Sequence, residues 1–215
     1  GVQRGVGDQT PMLFAGDGEF VLYDCRLREA KRIVPKDSWR FLVINSGQSA
    51  ALSGSSSFND RVAESIEAAR EMASLLKRPS EGARLSDFTQ AEWSALTPRL
   101  SATAQCRSAH FFTEMTRVHA GETALLAGDP VRFGALMNAS CQSSIDLYET
   151  GTNLLIELVR HLQAIDGVYG ARFSGAGTRG CVVALIEDDA DRHILNDLEG
   201  RVSPHIREYA DQQWA

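Results

Sequence analysis

The sequence predicts an α+β fold in which strands stand at both ends of the chain and helices fill the middle. Two features indicate it. Short apolar, β-branched runs lie near the start and near the end, and between them apolar residues recur every three or four positions. Because strands and helices are segregated along the chain, an alternating fold with a parallel sheet is not expected.

The first half of this pattern contains three predicted strands. Phe20–Cys25 and Ala30–Val34 are expected to pair through a short connection, and Trp39–Asn45 holds the apolar run Phe-Leu-Val-Ile of a buried strand. Ser46–Ser57 is rich in Ser, Gly and Ala and has no periodicity, so it is expected to form a mobile loop. Both a functional loop and a plain linker fit that composition.

Helical periodicity then continues for most of the chain. It predicts helices that begin at Phe58, near Ala104, at Asp129–Pro130 and at Thr152. Gly128 and Gly167 are expected to end two of them, and Thr89 with Glu92 has the spacing of a capping box for a shorter helix. Ala190–Leu198 is expected to be a last amphipathic helix.

Composition narrows the classes of function. The 215 residues carry a formal net charge of −6, which argues against nucleic acid or an anionic membrane surface as a partner. No apolar run approaches the roughly 20 residues of a membrane span. The four cysteines form no CxxC pair, so there is no zinc or thioredoxin signal. These features predict a cytoplasmic protein with no membrane and no nucleic-acid partner.

A glycine-rich segment near the C-terminus carries the clearest chemical signal. Ser174–Gly180 matches GxGxxG and lies between two strand-like runs, Val168–Ser174 and Cys181–Glu187. A dinucleotide-binding loop needs a helix after the glycines, but the residues that follow are β-branched, so that interpretation is rejected. Two alternatives remain. The glycines only permit a tight hairpin, or their bare backbone packs against phosphate groups.

Read as a block, Gly167–Leu185 resembles the third conserved motif of galactokinases, which belong to the GHMP kinase superfamily. Gly1–Gln9 is similar to the family segment that ends Met-Asp-Gln and carries the catalytic aspartate. Further similarities follow in matching order at Tyr23–Arg26, Leu42–Ser46, Phe58–Val62, His110 with Glu114, Phe133–Met137 and Tyr148–Glu149. The resemblance therefore covers nearly the whole chain.

The resemblance implies a two-lobed GHMP kinase fold. Residues 1–45 would be the end of the N-terminal lobe with the catalytic segment and connecting strands. Residues 46–215 would be the GHMP kinase C-terminal domain, an antiparallel sheet with packed helices. The implied reaction moves the γ-phosphoryl group of ATP, with Mg²⁺, to the anomeric hydroxyl of galactose or a galactose-like sugar.

It also implies the site residues. Asp8 would be the catalytic base or electrostatic partner of the sugar hydroxyl. The sugar-binding residues would be Gly7, Phe58 and Arg61. The ATP-binding residues would be Ser174, Gly175, Ala176 and Gly177. As alternatives, Asp8 only caps a helix and Phe58 only packs on Val62. The first sugar motif, the Ser-rich phosphate loop and the Mg²⁺ ligands are expected before residue 1. The chain is thus expected to be a fragment without kinase activity of its own.

Some residues depart from the galactokinase pattern. Phe58 stands where the family has Tyr, and Thr178–Arg179 replaces Phe-Gly. The run Gly170–Cys181 is closer to plant galacturonokinases, and galactose and galacturonate both stay open as substrates. Arg179 or Arg61 could bind a uronate carboxylate, or each could be an ordinary ion-pair arginine. The departures keep a non-catalytic sugar- or nucleotide-sensing relative as the alternative function.

Overall fold

The computed structural model describes residues 13–46, 56–175, 177 and 180–201. Its elements are the strands and helices β1 (Phe20–Asp24), β2 (Glu29–Ile33), β3 (Arg40–Asn45), α1 (Ser56–Leu75), α2 (Gln90–Leu96), α3 (Ala102–Ala127), α4 (Pro130–Asp146), α5 (Asn153–Gln163), β4 (Val168–Phe173), β5 (Cys181–Ile186) and α6 (Asp191–Arg201). Strands, helices and strands follow one another in the predicted order, which confirms the α+β class.

The strands form two antiparallel sheets. Strands β1 and β2 pair as a hairpin, as predicted, and in the observed register Phe20 lies opposite Ile33. The second sheet has the order β3-β5-β4, so the strand near residue 40 pairs with the strand that follows the glycine loop. Because β3 and β5 share a sheet, a strand from the first quarter of the chain lies beside one from the last quarter. The predicted domain division after residue 45 stays a prediction.

Helix ends follow the local chemistry of the sequence. Asp129 accepts a hydrogen bond from the main-chain nitrogen of Arg132 and precedes Pro130, so cap and first-turn proline start α4 together. Gly128 ends α3 in the left-handed conformation with φ of 67°. Thr89 and Glu92 form the predicted capping box of α2. Helix α1 starts at Ser56, earlier than the apolar pattern predicts.

Two apolar clusters hold the helices in place. One fills the space between the three-stranded sheet and helices α4, α5 and α6, with Leu155, Leu162 and Ile194 fully buried. The other joins α1, α2 and α3 around Met72 and Phe112. Fully burying side chains of this size contributes about 1.5–3 kcal/mol each. The layers therefore run from the sheet through α4 to α3 and α1.

Helix α4 lies unusually close to β4. A β-carbon added at Gly134 would lie 2.3 Å from the main-chain carbonyl carbon of Tyr169, and one added at Gly170 would lie 2.1 Å from the carbonyl oxygen of Gly134. No side chain fits between the two backbones. This contact sets the distance between α4 and the sheet that carries the glycine loop.

Candidate active site

The predicted site residues fall in two described segments. Phe58 and Arg61 lie in the first turns of α1, and the glycine loop between β4 and β5 carries Ser174, Gly175 and Gly177. Gly7, Asp8 and Ala176 lie outside the described residues, as do Thr178 and Arg179. The catalytic role of Asp8 thus stays a prediction.

The glycine loop joins two antiparallel strands, which confirms that it is not a dinucleotide-binding loop. Its start is closed by a hydrogen bond of 2.8 Å from the main-chain nitrogen of Ser174 to the carbonyl oxygen of Cys181. The nitrogen of Ser46, at the end of β3, donates to the carbonyl oxygen of Gly180 at 2.8 Å. Three strands thus fix the base of the loop.

Gly175 exposes its backbone. It is solvent-exposed and has a φ of 72°, and an added β-carbon would meet no atom of the described residues within 4 Å. Only glycine reaches this conformation without strain, and its bare main chain leaves room for another molecule to approach. The geometry at Gly175 therefore suits close contact with a phosphate group.

Gly177 faces inward instead. It is buried, its φ is 68°, and its carbonyl oxygen accepts a hydrogen bond of 3.2 Å from the nitrogen of Thr152, the N-cap of α5. A β-carbon here would lie 2.7 Å from the ring of Phe173. The two glycines thus have different surroundings: Gly177 anchors the loop, and Gly175 leaves its backbone open.

Arg61 belongs to a closed set of four charged side chains, which we name the charge ring: Arg61, Glu64, Arg107 and Glu149. Arg61 donates to Glu64 at 2.8 Å and also to Glu149. Arg107 donates to the same two carboxylates, at 2.6 Å and 2.5 Å. The terminal nitrogens of Arg61 are thus already used within the protein.

Two polar atoms beside Phe58 are unsatisfied. The side-chain oxygen Oδ1 of Asn59 and the Nε of Arg61 are buried and have no hydrogen-bond partner among the described residues. Such atoms are rare in folded proteins, since each costs about 1–3 kcal/mol when left unpaired. Phe58 itself is half-buried. The start of α1 therefore offers hydrogen-bonding capacity that a polar ligand or water can fill.

A second polar cluster lies between α3, α4 and β4. His110 Nδ1 is 2.9 Å from Ser143 Oγ, and its ring stacks on Tyr148 with centroids 4.7 Å apart. Ser140 donates to Glu114 at 2.7 Å and accepts from Arg172 at 2.7 Å. Burial lowers the pKa of the His110 imidazole. This cluster joins helices to sheet, and it explains why His110 and Glu114 occur together in the sequence.

Arg107 is not among the residues that the sequence predicts for the site. Its side chain is only 3% exposed, and it lies three residues after Ala104 and four before Phe111, on the inward face of α3. An arginine at an inward position of an amphipathic helix must be paired or bound, because an isolated buried charge is very costly. That position was a signal, but the partners of Arg107 come from two distant segments, α1 and residues 147–149.

Two kinds of feature are absent from the described residues, a cluster of metal-binding side chains and a helix that spans a membrane. Within residues 13–46, 56–175, 177 and 180–201, no group of three or more His, Cys, Asp or Glu side chains could hold a metal ion. No described helix is both long and apolar enough to cross a membrane.

Comparison with known proteins identifies this architecture. Residues 122–202 match the family described as GHMP kinases C terminal. The chain is 34% identical to the galacturonokinase of Arabidopsis thaliana, covering 87% of the chain and 45% of that protein. It is 33% identical to the galactokinase of Roseiflexus, covering 92% of the chain and 50% of that protein.

Solved structures give the same relationship. The galactokinase of Lactococcus lactis, in its complex with galactose, matches 98% of the chain with 28% identity and a TM-score of 0.82. The chain covers 52% of that structure. The mevalonate kinase of L. major, at 20% identity and a TM-score of 0.55, shares the fold.

Residues 122–202 match the GHMP kinase C-terminal domain, and the solved galactokinase shares the fold of nearly the whole chain. Over most of its length the chain is similar to galactokinases and a galacturonokinase, as the sequence motifs predict. It spans about half the length of the curated relatives that it matches.

Proposed function

We propose that the natural polypeptide containing this chain is an ATP-dependent sugar kinase of the galactokinase family. It transfers the γ-phosphoryl group of ATP to the anomeric hydroxyl of galactose or a galactose-like sugar such as galacturonate. The observation that carries this proposal is the open backbone of Gly175, held on a three-stranded sheet whose fold matches a galactose-bound galactokinase.

Asp8 is the proposed catalytic residue. A carboxylate can accept the proton of the attacking hydroxyl and orient its oxygen in line with the phosphorus. Phosphoryl transfer depends mainly on positioning and charge stabilisation, so one well-placed carboxylate has a large effect on the rate. The similarity of Gly1–Gln9 to the catalytic segment of the family supports this role.

The glycine loop is the proposed contact for ATP. The open backbone of Gly175 and the exposed residue Ser174 before it can approach the phosphates, with Ala176 beside them in the sequence. Gly177 contributes by fixing the loop to α5. ATP supplies the phosphoryl group, and Mg²⁺ would neutralise charge on its phosphates.

The start of α1 is the proposed sugar side, together with Gly7. Phe58 offers an apolar wall without the hydroxyl of Tyr, and the unsatisfied atoms of Asn59 and Arg61 offer polar contacts. Because Glu64 and Glu149 each accept a hydrogen bond from a terminal nitrogen of Arg61, a uronate carboxylate at Arg61 would compete with two carboxylates already bound there. That favours Arg179 over Arg61 as the carboxylate-binding residue in a galacturonokinase.

The partners we propose are the sugar and ATP, in the cytoplasm. The second candidate is a non-catalytic relative that binds sugar or nucleotide as a sensor. Phe58 and Thr178–Arg179, which replace family residues, favour it. The two candidates differ in one outcome, because a sensor binds its ligands without forming ADP.

The test is sugar-dependent ADP release by the natural polypeptide, with galactose and galacturonate compared at equal concentrations. Turnover with one of them is expected. An Asp8→Asn variant should lose about 10²–10⁴-fold in kcat. Asp17→Asn, in an exposed turn, is the matched control and should keep its activity. Binding of sugar without ADP release would instead support the sensor.

The 215 residues alone are proposed to be inactive, because they span about half the length of the related kinases. The same assay on this chain should give no sugar-dependent ADP. Turnover at the rate of the natural polypeptide would overturn that proposal.

A further inference from the structure

The charge ring joins three separate parts of the chain. Arg61 and Glu64 come from α1, Arg107 comes from α3, and Glu149 comes from the segment between α4 and α5. Two arginines face two glutamates, so the formal charges cancel. Each carboxylate contacts both guanidinium groups, and this closes the set into a ring.

Arg107 is the buried member that closes the ring. Its Nε and Nη2 bind Glu64 and Glu149, and its Nη1 donates to the carbonyl oxygen of Leu147 at 2.5 Å. Its side chain is 3% exposed, whereas that of Glu149 is 59% exposed. A planar guanidinium can hold three acceptors in fixed directions, which the single ammonium of lysine cannot reproduce.

The segment that Arg107 holds leads directly to the glycine loop. Arg107 contacts residues 147 and 149, and three residues after Glu149 the nitrogen of Thr152 donates to the carbonyl oxygen of Gly177. Between them, Gly151 lies against the ring of Phe173, which also contacts Gly177. One short segment thus touches the charge ring at one end and the glycine loop at the other.

The backbone of Glu149 shows that this segment is constrained. Its φ is 52°, in the left-handed region that residues other than glycine seldom occupy. Such a conformation is unfavourable for glutamate and persists only where the surroundings fix it. Its carboxylate is fixed by two arginines. Hydrogen bonds from Arg107, aided by Arg61, lower the pKa of Glu149, which keeps it charged in the ring.

We infer that Arg107 is a positioning residue that, through the charge ring, holds the start of α1 in a fixed relation to the glycine loop. This inference rests on the proposed function in assigning sugar to the first segment and ATP to the second. Arg107 itself touches neither substrate. Its effect passes through Arg61 on one side and through segment 147–152 on the other.

The test compares Arg107→Gln with Arg70→Gln in the natural polypeptide. Arg70 lies on α1 and pairs with Glu67 at 3.2 Å on the surface, so its loss removes an ion pair outside the ring. Amide hydrogen exchange is measured at Thr152 and, for reference, at Val182 in the centre of the sheet. Arg107→Gln should speed exchange about tenfold at Thr152 and leave Val182 nearly unchanged. Equal exchange at Thr152 in the two variants would overturn the inference.

Kinetics separate positioning from stabilisation. A residue that only stabilises the fold changes the amount of active enzyme, and thus the apparent kcat, at constant KM. Arg107→Gln should raise the KM for sugar and for ATP about tenfold, or ~1.4 kcal/mol each. Arg107→Lys should reverse little of this rise in KM, because lysine lacks the planar guanidinium group that holds three acceptors in fixed directions. Unchanged KM values in an active Arg107→Gln enzyme would contradict the inference.

Two further results of these experiments also bear on the inference. If Arg107→Gln does not fold, Glu149→Gln takes its place, since Glu149 is exposed and its loss leaves Arg107 paired with Glu64. It should give the same local change at Thr152, and no change there overturns the inference. If the natural polypeptide releases no ADP with any sugar, the proposed function fails, but hydrogen exchange still decides whether the ring controls Thr152.

Discussion

The main-chain nitrogen of Thr152 donates a hydrogen bond of 3.2 Å to the carbonyl oxygen of Gly177. This bond joins the first turn of α5 to the glycine loop, and the Phe173 ring packs between Gly151 and Gly177 beside it. The first turn of α5 and the ring of Phe173 therefore both hold the glycine loop at Gly177. The open backbone at Gly175 depends on that support.

Gly177→Ala should destabilise the chain more than Gly175→Ala. Both positions have a left-handed φ, which costs an alanine about 1–2 kcal/mol. At Gly177 the new methyl group also meets Phe173, which adds roughly 1–3 kcal/mol. Urea unfolding measures both variants, and equal losses of free energy would show that Phe173 does not restrict the loop.

Gly175→Ala should instead weaken ATP binding while the protein stays folded. The added methyl group would stand where the phosphates are proposed to approach, and the KM for ATP in the natural polypeptide should rise about tenfold. Gly82→Ala is the matched control, since Gly82 has a φ of 73° and equal free space but lies between α1 and α2. An unchanged KM in Gly175→Ala would remove Gly175 from the ATP site.

Gly134→Ala should destabilise the protein although it lies in a helix. Alanine in place of glycine normally gains about 1 kcal/mol in a helix. Here the methyl group would overlap the backbone of Tyr169, so a net loss of roughly 1–3 kcal/mol is expected from thermal or urea unfolding. Gly121→Ala in α3 is the control. A β-carbon added at Gly121 would lie 3.3 Å from the nearest atom of the Phe133 ring. The free energy of unfolding of Gly121→Ala should therefore stay within about 1 kcal/mol of the wild-type value.

The stability contributed by Glu92 should depend on pH in the acid range. A hydrogen bond from the backbone of Thr89, followed by one from Arg78, lowers the pKa of Glu92 from 4.5 to about 2. Its contribution is therefore fully present above pH 4.5 and is lost as the pH falls through 2. Glu92→Gln keeps the capping geometry without the charge.

Urea unfolding of the wild type and Glu92→Gln between pH 5 and pH 2 checks this. The wild type should be more stable at pH 5, and the difference should shrink towards pH 2. Two parallel curves would show that the ionised carboxylate contributes nothing to the helix start.

Elements with local causes could be predicted from the sequence. Asp129–Pro130 and Thr152 start helices through bonds to residues three positions away, and the β-branched run after the glycines could only be a strand. The hairpin nature of the glycine loop followed from that run. The GHMP domain followed from motifs that span almost the whole chain.

Features that depend on tertiary contacts could not be predicted. Arg107 gathers partners from residues 64, 147 and 149, which are adjacent only in the folded chain. The close approach of Gly134 to Gly170 depends on how α4 crosses β4. The sequence pattern also does not distinguish Gly175 from Gly177. Gly177 is buried because it contacts Phe173 and Thr152, and these contacts form only in the folded chain.

The most direct test of the central claim is the identity of the product. The natural polypeptide is incubated with ATP and either galactose or galacturonate, and phosphorus NMR follows the phosphoryl group. The proposed function predicts a sugar phosphorylated on its anomeric oxygen, formed in equal amount with ADP and lost in Asp8→Asn. A folded protein that forms no phosphorylated sugar from either compound would contradict it.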